Sequence, residues 1–150
     1  MSNKIYVLAL CHNRFYVGRS SNFSTRLREH IINRGSQWTK QWPVKYVVSV
    51  VDENSPFDED IITKKYMLLH GIKYVRGGSY FNPNLTILQL MALQAEFDTA
   101  LHLCFECGMY LTRFHKCSTI HSHKTSCYYC NEVGHRMENC NINLNSFAQS

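Results

Sequence analysis

Residues 4–20 read KIYVLALCHNRFYVGRS. Residues 4–10 are β-branched and apolar, and RFYVG at 14–18 repeats that character after a short His-Asn turn. Two such runs around a turn signal predict a β-hairpin. Residues 22–35 then read as a helix that Asn22 or Ser24 caps and Gly35 ends. KYVVSVVD at 45–52 predicts another strand. A helix over about 57–70 begins with Asp58-Glu59-Asp60, acids suited to a helix N-terminus, and ends at Gly71. Arg76-Gly77-Gly78 then turns the chain into a short strand near Tyr80. The sum is a small mixed α/β unit spanning residues 1–82.

Outside that unit the sequence changes character. Over 83–102, Leu85, Leu88, Met91, Ala92, Ala95 and Thr99 recur at helical spacing, which predicts a linker helix that packs this apolar side on the first unit or spaces the two units, with a partner-binding helix as the alternative. Residues 103–142 carry too few apolar groups to build a core, so a metal has to supply folding energy there. The Asn- and Ser-rich residues 143–150 read as a frayed tail.

Composition narrows the function classes. With 150 residues, 45% of them hydrophobic, the chain is a folded protein rather than a disordered one. No apolar run reaches the roughly 18 residues of a membrane span, and no cleavage site follows the N-terminal apolar stretch. An intracellular, non-secreted protein is therefore expected, at a cytoplasmic, nuclear or viral replication site. The net charge is +5, and it is uneven: residues 1–82 hold 12 Lys/Arg against 6 Asp/Glu, residues 83–150 hold 4 against 5. A basic first unit suits a polyanion such as nucleic acid.

Six of the seven cysteines lie between 104 and 140. Cys-x-x-Cys pairs beside histidines, with no secretion signal, favour zinc over disulfides. Cys127, Cys130, His135 and Cys140 have the spacing C-x2-C-x4-H-x4-C, a closed set of three thiolates and one imidazole. Gly134 permits a tight turn, and Tyr128 is placed to stack on a base. This segment resembles the zinc knuckle of retroviral nucleocapsid proteins. A shift of 23 residues superposes Cys104, Cys107 and Cys117 on three of the ligands, with Thr112 at the histidine position. His115, or else His121 or His123, is available as the fourth ligand of this degenerate copy at 104–117, so one structural zinc ion is expected and a second is open.

The first unit carries residues suited to phosphodiester hydrolysis. Tyr6 and Tyr16 centre the two hairpin strands, and Arg26 and His30 are four apart on one helix face. A carboxylate can hold a divalent cation, the cation and an arginine can neutralise phosphorane charge, and a tyrosine can handle a proton. The order of KIY, YVG, R-x-x-x-H (Arg26 and His30) and G-S-x-W-T (Gly35 to Thr39) resembles the GIY-YIG nuclease superfamily over about residues 4–81. YMLLHGIKYVRGGSY, residues 66–80, is similar to a subgroup common in large DNA viruses, in which a zinc knuckle often follows the nuclease domain. Lys4 departs from the pattern, standing where the family name has its first glycine.

The resemblance implies an α+β fold with a three-stranded antiparallel sheet flanked by helices. It implies one Mg2+ or Mn2+ ion held by a single glutamate, aligned here to Glu59 with Asp58 and Asp60 as neighbours. It makes Tyr6 the candidate general base, Tyr16 its orienting partner, Arg26 the phosphate contact and His30 a proton-transfer or phosphate residue. Gly18, Arg19 and Arg76 join as substrate-binding residues, Arg76 with a local structural role as the alternative. The function implied is a metal-dependent endonuclease on nucleic acid, DNA foremost, with the knuckle aiding binding. An inactive nucleic-acid-binding module and a zinc-organised interaction adaptor are the alternatives. Oligomeric state is not legible.

Overall fold

The computed structural model describes residues 2–101 and 127–140. Cys104, Cys107, Cys117, His115 and the tail at 143–150 lie outside the described residues. The chain divides into two compact units, Met1–Pro83 and Asn84–Ser150. No helix among the described residues is long and apolar enough to cross a membrane.

Strands β1 (Lys4–Leu10) and β2 (Arg14–Ser20) form the antiparallel hairpin, with Tyr6 opposite Gly18. His12 and Asn13 in the turn both have positive φ, the backbone that reverses a tight hairpin. Strand β3 (Val44–Asp52) pairs antiparallel to the other side of β1. The expected three-stranded sheet gains a fourth member: Val75–Gly77 forms β4, parallel to β2, and the order is β3-β1-β2-β4. The sheet is therefore mixed. The strand placed near Tyr80 lies instead at 75–77, and Tyr80 makes only an isolated bridge to Gly77.

As a central strand, β1 has both faces covered, so its six residues from Ile5 to Leu10 are all buried and show no in-out alternation. On one face Tyr6, Leu8 and Leu10 pack with Tyr16 and Trp38, against Phe23 and Leu27. On the other Ile5, Val7 and Val17 pack against Ile62 and Tyr66.

The helix expected over 22–35 is shorter. Helix α1 (Phe23–Ile31) starts at Asn22, whose side chain accepts from the Thr25 amide, and stops before the left-handed Asn33. A second helix, α2 (Gln37–Gln41), follows, capped by the Ser36 side chain on the Thr39 amide. Helix α3 (Asp58–His70) ends at Gly71, with φ 102°. In the second unit α4 (Ile87–Ala100) opens with a reciprocal cap between Thr86 and Gln89. Of the side expected inward, Leu85, just before the helix, is buried, and the rest is exposed. Leu90, Leu93, Phe97 and Asp98 are buried, while Leu88 and Met91 are 75% and 59% exposed. The helix is apolar all round, so spacing alone selects two stripes equally well.

Candidate active site and zinc centre

Tyr6 is fully buried, and its hydroxyl lies 2.9 Å from His30 Nε2. His30 Nδ1 lies 2.9 Å from Thr39 Oγ1, whose hydroxyl donates to the Ser36 carbonyl at 3.1 Å. Thr39 Oγ1 also lies 3.1 Å from Ser36 Oγ, so its single proton has three neighbours, and Tyr6, His30, Thr39 and Ser36 form one continuous chain in which either imidazole nitrogen can carry the proton. Burial, then the nearby Arg26 charge, holds the His30 pKa down at about 4, so the ring is neutral near pH 7.

Two glycines make this packing possible. A Cβ at residue 18 would fall 2.3 Å from the Tyr6 hydroxyl oxygen, and one at residue 35 would fall 2.1 Å from His30 Nδ1. Gly18 was expected to bring substrate close; what its missing side chain admits is the Tyr6 phenol. Gly35 was expected to end the helix, and it makes room for the imidazole.

The ring centroids of Tyr6 and Tyr16 are 6.3 Å apart, and that of Tyr16 is 4.9 Å from His30. Burial raises the pKa of both phenols; the Arg26 guanidinium, close to both hydroxyls, pulls in the opposite direction. Arg26 also pairs with Glu29 at 2.6 Å and keeps a third of its side chain exposed. A proton acceptor has to touch the water it activates. Tyr6 has no exposed surface and Tyr16 retains 7%. The Tyr6 hydroxyl, expected to serve as general base, is an internal member of the His30 chain.

The three adjacent acids have different surroundings. Asp58 Oδ2 accepts from the amides of Asn54 and Ser55, closing the entry to α3. Asp60 accepts from the amide and hydroxyl of Ser79, both at 2.7 Å, and ties down the glycine turn. Glu59 is half-buried, 4.0 Å from Arg19 Nε, and near enough to both tyrosines for its charge to raise their pKa values. Burial raises its own pKa, opposed by Arg19 and a Gly78 amide hydrogen bond. A desolvated carboxylate of this kind suits a divalent cation, which commonly takes one protein carboxylate with substrate phosphates. Arg19 is exposed at the rim and bonds Glu53 at 2.9 Å.

Arg76 is not placed to bind substrate. It is 3% exposed, and its guanidinium donates to the carbonyls of Ile72, Val75, Asn82 and Pro83. The same group lies 4.8 Å from the Trp38 ring centre. It clamps the chain around β4, the structural alternative of the two.

In the second unit the ligand atoms of Cys127, Cys130, His135 and Cys140 all lie within 4.8 Å of one another. Cys130 Sγ is 3.4 Å from His135 Nε2. A tetrahedral zinc with bonds of about 2.0 and 2.3 Å needs ligand atoms about 3.5–3.8 Å apart, so the set fits the ion. Burial pushes the Cys127 thiol up to about 12 and raises Cys130. Asn131 and Gly134 hold the positive φ values that fold the loop. Tyr128, expected to stack on a base, instead donates its hydroxyl to Asp98 at 2.5 Å.

Sequence reasoning gave Thr39 and Ser36 no role, although both stand in the quoted G-S-x-W-T segment. It missed Asp98 entirely; the available signal was an acid adjoining Phe97 on a helix otherwise rich in apolar residues. Comparisons with protein-family models, with curated proteins and with solved structures find no match to this chain.

Proposed function

We propose that the first unit is a metal-dependent phosphodiester hydrolase acting on nucleic acid, with DNA as the leading substrate. One observation carries this reading: the Tyr6 hydroxyl lies 2.9 Å from His30 and the Tyr16 ring centre 4.9 Å from it, while Arg26 and Glu59 act on the charge of both phenols. Packing alone does not need so many costly groups in one place. Tyr16, the more accessible phenol, takes the proton from the attacking water, and Arg26 lowers the cost of its phenolate. Tyr6 and His30 hold the arrangement rigid from beneath. Arg26 faces the scissile phosphate, and Arg19 supplies positive charge at the rim. Glu59 holds the cation, which when bound supplies Lewis-acid charge to the phosphate oxygens. The positive excess of residues 1–82 favours a polyanionic substrate.

The test is nicking of supercoiled plasmid by zinc-replete protein in magnesium, manganese and EDTA. Cleavage is expected in either metal and not in EDTA. Arg26→Ala and Glu59→Ala should each lower the rate by about 10²-fold or more, the scale of losing a group that stabilises transition-state charge. Activity that survives Glu59→Ala would remove that residue as the cation ligand. Salt-sensitive binding without cleavage of plasmid, branched DNA or RNA would leave a binding module instead.

A further inference from the structure

Asp98 on α4 is 2% exposed, and its carboxylate is shared between two donors. Oδ1 accepts from the Tyr128 hydroxyl at 2.5 Å, and Oδ2 from Arg136 Nη2 at 2.8 Å. Those two donors are not arbitrary members of the loop. Tyr128 directly follows the ligand Cys127, and Arg136 directly follows the ligand His135. One buried carboxylate thus joins both halves of the zinc-ligand set from outside. One helical turn earlier, Gln94 reaches Glu138 at 3.4 Å, and the Phe97 ring meets Tyr128 edge-on with centroids 5.4 Å apart.

We infer that α4 is the partner of the zinc knuckle, which serves as a metal-dependent clip on that helix, with Asp98 as its latch. A buried carboxylate is costly unless its donors stay in place. Those donors sit on a loop with few apolar groups, whose folding depends on the metal. Loss of zinc therefore strands Asp98 and loosens the C-terminal turns of α4. By linkage, loss of Asp98 also weakens zinc. The Tyr128 hydroxyl and the Arg136 guanidinium, two obvious groups for gripping nucleic acid, are already committed to the helix. The inference concerns the second unit alone and stands whether or not the first unit cleaves phosphodiesters.

The experiment uses the full chain. Amide hydrogen exchange over residues 94–100 is compared with zinc bound and after chelation, and zinc affinity is measured by competition with a chromophoric chelator. Chelation should reduce protection over 94–100 by about tenfold or more, and Asp98→Asn should weaken zinc about tenfold, as for other groups that orient metal ligands. Tyr128→Phe keeps the ring and removes one donor, so a smaller loss of zinc affinity is expected. It also serves if Asp98→Asn does not fold. Unchanged α4 protection after chelation would overturn the inference. So would unchanged zinc affinity in the folded variants. Nucleic-acid affinity that disappears on chelation while α4 stays protected would assign the knuckle to nucleic acid instead.

Discussion

At the scale of single residues, the two tyrosines share one buried cluster, and the proposed roles make them differ when changed. Tyr16→Phe is expected to lower nicking by about 10²-fold or more, because it removes the phenol proposed to take the proton of the attacking water. Tyr6→Phe should retain much of the activity but lose about 1–3 kcal/mol of stability, because His30 Nε2 then lacks its buried hydrogen-bond partner. Rates and urea midpoints for both variants check this. His30 gives a pH signature. Its folded pKa of about 4 lies below the ordinary 6.5, so the unfolded chain binds more protons between those values. The stability it contributes is full above about pH 6.5 and is lost as the pH falls toward 4. A loss on the order of 2–3 kcal/mol is expected from this group. Denaturant titrations over that range, with His30→Gln alongside, measure it.

At the scale of elements, the turn between α1 and α2 places the proton chain. Gly35→Ala would drive a methyl group into the His30 ring, within 2.1 Å of Nδ1 where the chain stands now. The ring or the turn must move, at a cost of about 1–3 kcal/mol. A lower urea midpoint, with a fall in nicking at pH 7, is the expected result. The hairpin, the cap at Asn22 and the Gly71 stop were legible because each depends on residues within one turn of the chain. The buried side of α4 was not, since Leu88, Met91 and Ala95 repeat as regularly as Leu90, Leu93 and Phe97. Nor could spacing separate Asp58, Glu59 and Asp60. Their tasks depend on Asn54, Ser79 and the tyrosines, and Ser79 and the tyrosines lie far from them in sequence.

At the scale of the whole molecule, the uneven charge predicts how the protein meets its substrate. The logarithm of nucleic-acid affinity should fall linearly with the logarithm of salt concentration, losing at least about tenfold between about 50 and 200 mM. Arg19→Ala should make that slope shallower. Fluorescence anisotropy with labelled duplex across a salt series measures both. Read alone, the sequence determined the hairpin, the starts of α1 and α3, the basic first unit and the four Cys/His residues able to hold zinc. These follow from short-range spacing and composition, which survive in any arrangement of the chain. Only the tertiary structure decided that Tyr6 is sealed under His30, that Arg76 serves four carbonyls, that a parallel fourth strand joins the sheet and that Asp98 takes Tyr128. Each of these depends on which distant segment supplies a donor, an acceptor or a covering side chain, and folding in three dimensions alone sets that.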